Sequence, residues 1–293
     1  MRRSFVDAMV DKINLFFLIL IGLACFYPFW YVLAVSLNDN SVTSYVNVVL
    51  WPKQVTFNNY QVVFSSPLLI NGYKVSGLRT LIATLLSVTL SGGMAYALSR
   101  KELVGRKFFN IFILIPMYLG GGLIPVFLLF KSLNLLNTFA VLILSGLISS
   151  WNIILLRTSI STLPDGLVES AKIDGANDLH IYFRIVIPCS KPIFATITLF
   201  VAVAFWNDWF AGDIFVTDEK LKPIQTIMIN IINSTKASDM AKKMGSATGQ
   251  NIGTMVESIK MATIMLTVMP IVVVYPFLQK YFVKGIMIGS LKG

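Results

Sequence analysis

Apolar residues fall in long unbroken runs along this chain, not in the alternation of a half-buried strand. Six stretches have the roughly 20 mainly apolar residues that a helix needs to cross a bilayer: Leu15 to Ser36, Thr80 to Leu98, Phe108 to Phe130, Phe139 to Leu156, Ile193 to Gly212 and Met261 to Gln279. Hydrocarbon offers no water to the backbone, so each run is read as a helix that satisfies its own hydrogen bonds. Polar intervals separate them: a long one from Leu37 to Arg79, short ones from Ser99 to Lys107 and from Lys131 to Thr138, then two longer ones from Arg157 to Pro192 and from Asp213 to Lys260. No internal repeat appears. The pattern predicts an all-α membrane protein with six transmembrane helices.

Composition agrees. Hydrophobic residues make up 56% of the 293 and charged residues 13%, about half the charge of an ordinary soluble domain. The 24 Lys and Arg outnumber the 14 Asp and Glu, which on its own would suit nucleic acid or an acidic substrate. Their placement favours the positive-inside bias of membrane proteins. With a cytoplasmic N-terminus, the inner segments hold 14 of the 24 basic residues, at about twice the outer density. Arg2-Arg3, Arg100-Lys101 and Arg106-Lys107 lie inside, as do Lys280, Lys284 and Lys292 after an even number of crossings. The expected division is a cytoplasmic N-terminus over 1–14, a six-helix body over 15–283 with a cytoplasmic loop over 157–192, and a cytoplasmic tail over 284–293. The first run is too long for a cleaved signal peptide and reads as a retained anchor. Cys25 lies in an apolar run and Cys189 in a loop, so neither suggests a disulfide or a metal site.

The loop between the fourth and fifth runs is the most informative. It reads Pro164-Asp-Gly-Leu-Val-Glu-Ser-Ala-Lys-Ile-Asp-Gly-Ala-Asn177 and later Phe183-Arg-Ile-Val-Ile-Pro188. Ser161 or Thr162 can cap a short helix with Pro164 in its first turn. Gly175 can end that helix in a left-handed conformation. A second short helix then spans Ala176 to about Val186 with Leu179, Phe183 and Val186 on one face, before Pro188 and Pro192 launch the next run. The expected product is a helix–turn–helix knob on the inner side of the membrane.

This loop resembles the EAA motif of ABC importer permeases. Glu169, Ala171, Asp174, Gly175, Ala176, Phe183, Ile185 and Pro188 match in register, while Ser170 replaces the middle residue of the Glu-Ala-Ala triplet and Ile187 the Leu before the proline. The resemblance extends over most of the chain. Phe57-Asn-Asn-Tyr60 and Ala95-Tyr-Ala-Leu-Ser-Arg100 are similar to segments of carbohydrate permeases. Pro116-Met-Tyr-Leu-Gly-Gly-Gly-Leu-Ile-Pro125 and Tyr275-Pro-Phe-Leu-Gln-Lys-Tyr-Phe-Val-Lys-Gly285 resemble the subgroup importing polysaccharide-derived and uronate-containing chains, such as alginate or pectin fragments.

The resemblance implies the type I importer fold and a place in the cytoplasmic (inner) membrane. It implies a heterodimer with a second permease, two ATPase subunits that bind ATP and Mg, and an extracytoplasmic solute-binding protein. The knob, through Glu169, Ser170, Ala171, Asp174, Gly175, Ala176, Phe183 and Pro188, would dock on an ATPase subunit and transmit its closure.

Four further residues are candidates for the oligosaccharide path. Asp208 is the one acid inside a predicted span, about 24 Å from the inner end at 1.5 Å per residue, between Trp206, Asn207 and Trp209. Intramembrane acids usually face a cavity or a partner, yet tryptophans at that depth also suit an interface anchor. Beside a uronate its charge would repel, which places it at a gate or against a Lys or Arg of the partner subunit. Asn152, next to Trp151, offers an amide and a stacking face for sugar, or ordinary helix packing. Gly92-Gly93 and Gly120-Gly121-Gly122 read as close packing or a helix break. Neither is followed by Lys-Ser/Thr, so no P-loop is present and the chain has no ATPase site or cofactor of its own. The sole histidine, His180, reads as a solvent-facing knob residue; no metal site is expected. Among other transport classes, an ion-coupled carrier would need more helices and buried charge, and an ABC permease for another solute class shares the EAA loop. A membrane enzyme would need a cluster of acids, bases and nucleophiles.

Overall fold

The computed structural model describes residues 5–39, 48–243 and 257–276. Residues 1–4, the end of the sixth run at 277–279 and the tail at 284–293 lie outside the described residues. Everything regular among the described residues is helical, with a single isolated bridge between Asn38 and Val55. The helices are α1 (Phe5–Ser36), α2 (Asn58–Ser65), α3 (Pro67–Ser99), α4 (Arg106–Tyr118), α5 (Leu123–Ser132), α6 (Phe139–Leu144), α7 (Ser150–Ile160), α8 (Asp165–Ile173), α9 (Asp178–Ile181), α10 (Ile187–Cys189), α11 (Lys191–Asn207), α12 (Phe210–Ile214) and α13 (Ile224–Lys243), followed by α14 (Glu257–Pro276).

Four helical segments are long and apolar enough to cross a membrane: Met9–Ser36, Pro67–Ser99, Lys191–Ile214 and Glu257–Pro276. The expectation of six continuous spans is corrected at two places. The third run is α4 and α5, which meet at an angle of 113° and amount to a fifth crossing if the pair is one broken span. Gly122, with φ 78° and ψ 167°, sits in a backbone region essentially restricted to glycine. The triple glycine is therefore a break. The fourth run is interrupted between α6 and α7. Thr138 Oγ1 accepts the Val141 N–H at the start of one, and Ser149 Oγ the Asn152 N–H at the start of the other. Ser149, a polar cap inside the apolar run, divides it into two short helices.

Two more boundaries move. The second span begins at Pro67, not Thr80, because α3 runs unbroken for 33 residues through Lys74 and Arg79. The interval after Asp213, expected to be a loop, contains the 20-residue helix α13.

The described residues form two compact units, one of residues 5–39, 48–70, 228–243 and 257–270, the other of 71–227 and 271–276. In the first, the polar end of α1 is closed by the α2 segment. Asn59 Nδ2 donates to the carbonyls of Ser36 (2.9 Å) and Asn38 (3.1 Å), and the Tyr60 hydroxyl pairs with Ser36 Oγ at 2.6 Å. The Ser36 carbonyl is one of the orphans that every helix leaves at its C-terminus. Asn38 in turn accepts the Lys53 N–H at 3.0 Å, and Trp30 Nε1 donates to the Leu50 carbonyl at 2.7 Å.

The second unit holds two apolar cores. One gathers Ala95, Tyr96, Ile153, Leu156, Val168, Ile181, Tyr182 and Ile197. The other gathers Val75, Phe130, Val141, Leu142, Ala211 and Phe215.

Asn59→Ala removes two hydrogen bonds that its amide makes at the buried end of α1, a cost of about 1–3 kcal/mol. A lower melting temperature of the detergent-solubilised chain is expected, and an unchanged one would contradict this account of the α1 end.

Candidate functional site

The loop over 157–192 folds as a knob whose turn is built by hydrogen bonds that the sequence dictates. The helix α8 ends in a Schellman motif: Gly175, at φ 81°, donates to the Lys172 carbonyl at 3.0 Å, and the Ala176 N–H reaches back to Ala171 at 2.9 Å. Only glycine takes that backbone cheaply. Asn177 Oδ1 then accepts the His180 N–H at 2.8 Å and opens α9. The expected cap at Ser161 or Thr162 is not found. Pro164 precedes α8 without a side-chain cap, because Ser161 ends α7 and the Thr162 hydroxyl donates to Ser159.

Small residues of the motif face inward and polar ones outward. Ala171 is buried and Ala176 half-buried against the core, while Glu169, Ser170, Asp174, Gly175, Phe183 and Pro188 are exposed. A shallow cavity of about 450 Å³ is lined by Ala171, Asp174, Gly175, Ala176, Asn177, His180 and Ile185. No cluster of metal-ligating side chains occurs among the described residues. Lys101 Nζ donates to Asp165 Oδ2 at 2.8 Å. That hydrogen bond, with the attraction behind it, holds the ammonium above and the carboxyl below their ordinary ranges. Both groups are exposed, so the pair adds little stability.

The apolar face of the second knob helix differs from the expected one. Residues Tyr182–Val186 form a π-helical turn, and its wider winding carries Ile181, Tyr182 and Val186 into the core. Leu179 is 70% exposed and Phe183 51%, so these two project from the knob instead.

Tyr182 is the side chain that ties the knob to α3. Its hydroxyl donates to the Thr89 carbonyl at 3.0 Å, its ring stacks on Tyr96 at 6.0 Å between centroids, and burial pushes its pKa up to about 12. The close approach needs Gly92, where a Cβ would lie 2.3 Å from the Tyr182 hydroxyl. Tyr96 makes a second tie, donating to Asp178 Oδ1 at 3.2 Å.

Farther along α3 lies Arg79, the one charged side chain that is buried among the described residues, with 0% exposure. Its guanidinium pairs with Asp208. The cation comes from its own chain and not from the partner subunit, which was one of the two places expected for Asp208 beside a uronate, the other being a gate. Arg79 Nε also donates to the Leu142 carbonyl (2.7 Å) and Nη1 to the Asp208 carbonyl (2.9 Å), and the group lies 5.3 Å from the centre of the Phe205 ring. Leu142 is in the last turn of α6 and Asp208 is the C-cap of α11. One cation therefore meets two helix C-termini, where the helix dipole favours positive charge. Asp208 Oδ1 accepts the N–H groups of Phe210 (3.0 Å) and Ala211 (3.2 Å) and so opens α12. Asp208 thus occupies a helix break, not the helix interior that the sequence suggested.

Of the other expected path residues, Trp206 and Asn207 adjoin this break. Trp206 is half-buried with its ring 6.5 Å from that of Tyr73, and exposed Asn207 accepts from Gln225 Nε2 at 3.3 Å. Asn152 is buried in the first turn of α7, a helix that packs against α11. Arg79, Tyr73, Gln225, Tyr96 and Tyr182 are additions of the structure. The charge of Arg79 opposite the lone intramembrane acid was the available signal for the first.

Residues 83–288 match the family of binding-protein-dependent transport system inner membrane components. Among curated proteins, the chain is 38% identical to the polygalacturonan/rhamnogalacturonan transport system permease protein YtcP of Bacillus subtilis, over 98% of this chain and 99% of that one. It is 36% identical to Protein LplC of the same organism, over 100% and 98%. Among solved structures, a chain of a bacterial ABC transporter involved in the import of the acidic polysaccharide alginate superposes with a TM-score of 0.85 at 29% identity, covering 96% of this chain and 99% of that one.

Gly175→Val forces a β-branched residue to positive φ at about 1–3 kcal/mol. Amides of residues 165–181 are expected to exchange hydrogen faster while α3 and α11 keep their protection. Equal protection of the knob would contradict the Schellman account.

Proposed function

This chain belongs to the family of binding-protein-dependent transport system inner membrane components, and we propose that the oligosaccharide it passes is acidic, cut from a uronate-containing polysaccharide. It is a carbohydrate permease of an ABC importer. The observation that carries the acidic reading is the pairing of Asp208 with Arg79. An unpaired carboxylate beside Trp206 and Asn207 would repel each uronate. Matched within its own chain, it presents little net charge, and the sugar meets aromatic faces and amides that replace the hydrogen bonds it leaves in water. The similarity to transporters of polygalacturonan and of alginate supports the same class, and the galacturonate chain is favoured by the higher identity.

The remaining parts follow from the family. A second permease completes the path as a heterodimer, two ATPase subunits supply ATP and Mg chemistry, and an extracytoplasmic binding protein delivers the sugar. This chain by itself hydrolyses no ATP. Its knob is the docking element for one ATPase, through the exposed Glu169, Ser170, Asp174 and Phe183 around the Gly175 turn. With α4–α5 and α6–α7 each taken as one interrupted crossing, the chain spans the inner membrane six times with both ends in the cytoplasm, which agrees with its basic segments.

The test is uptake into proteoliposomes holding the assembled importer and its binding protein. ATP-dependent uptake of a labelled galacturonate oligosaccharide should exceed that of a neutral glucan of equal length by at least about tenfold. Equal uptake of the neutral chain would overturn the acidic reading.

A further inference from the structure

We propose that Arg79 is a positioning residue for translocation: by capping two interrupted helices at once, it makes α3 the element through which movement of the knob reaches the path. The inference rests on the permease reading above. Three observations carry it. First, α3 is continuous from Pro67 to Ser99, whereas the elements it touches near Arg79 are broken, α6 at Ser145 and α11 at Asp208. A straight helix transmits displacement, and breaks are where displacement can be absorbed.

Second, this rod is fixed to different things at two levels. Tyr182 and Asp178 of the knob hold it at Thr89 and Tyr96. Thirteen residues before Gly92, about 20 Å along the axis at 1.5 Å per residue, Arg79 holds the Leu142 carbonyl and both the carbonyl and carboxylate of Asp208. Asp208 also opens α12, which packs against α6. Shifting α3 therefore shifts the ends of α6 and α11 and the start of α12 together, and with them Trp206 and Asn207.

Third, the surroundings of the clamp leave hydrogen bonds unmade. The hydroxyls of Ser145, in the α6–α7 break, and of Thr80, next to Arg79, are buried without a partner in this arrangement, as are those of Thr84, Ser91 and Ser190 along α3 and at the start of α11. A buried polar group without a partner is uncommon enough to need a reason. A second arrangement of the breaks, reached during transport, can satisfy these groups. A guanidinium is suited to such a role because its fork holds several acceptors in fixed geometry, which a lysine cannot copy.

The experiment uses the whole importer, purified as wild type, Asp208→Asn and Arg79→Lys. Asp208→Asn keeps the acceptor for the Phe210 and Ala211 N–H groups and removes the ion pair; Arg79→Lys keeps the charge and removes the fork. Each assembled variant should show uptake per ATP hydrolysed reduced at least about fivefold, the lower range of coupling between two sites, with hydrolysis in the absence of binding protein raised. Assembled variants with the wild-type uptake-to-hydrolysis ratio would overturn the proposal. Failure of both to assemble would assign the clamp to folding alone and overturn it too. A wild-type complex without binding-protein-stimulated hydrolysis would instead count against the permease reading.

Discussion

A guanidinium shut away from water must find all its partners inside the protein, and the second unit of this chain is arranged around that demand. Arg79 needs an anion and several acceptors. It finds them only because α6 and α11 are interrupted beside it, leaving carbonyls without N–H partners. The dependence runs both ways. A helix that stops inside an apolar layer exposes carbonyls that lipid cannot solvate, so the breaks need a donor as much as Arg79 needs acceptors. Removing one partner of such a pair typically costs about 3–5 kcal/mol. Charge, backbone and helix ends are thus satisfied by one contact set, and the aromatic and amide groups next to it face a locally neutral site.

The knob answers a different constraint. It is held to its own chain on one side and exposed on the other. The Ala171 and Ala176 positions let the turn lie close to the core, and Gly175 lets the backbone reverse there. The π-turn sends Tyr182 inward to Gly92 and leaves Phe183 outside. Adjacent residues therefore serve opposite sides, one gripping α3 and the other projecting outward.

Much of this was legible from the residues. The apolar runs give the helical class, and the glycine and proline spacing of the loop gives the knob and its left-handed turn. The Phe57-Asn-Asn-Tyr60 segment, noticed as a resemblance, has a physical reason in the capping of α1 by Asn59 and Tyr60. What hydropathy could not show is where a run is broken. Ser145 to Ser149 are too few polar positions to divide a window of 20, yet Ser149 caps a helix. Hydropathy also started the second span at Thr80, because Lys74 and Arg79 look like loop charges until Arg79 is seen against Asp208. The face of the second knob helix was misjudged for a related reason, since a period of 3.6 does not anticipate a π-turn.

The claim that α3 joins the knob to the helix breaks is tested most directly by a double-mutant cycle between Tyr182→Phe and Asp208→Asn, read as uptake per ATP in the assembled importer. The two side chains act at separate sites on α3, and distant independent sites are additive within about 0.5 kcal/mol, or roughly twofold. The account predicts a double variant no worse than the weaker single one, a departure well beyond twofold, because either change cuts the same connection. Additive losses would show that the knob and the clamp act independently and would contradict it.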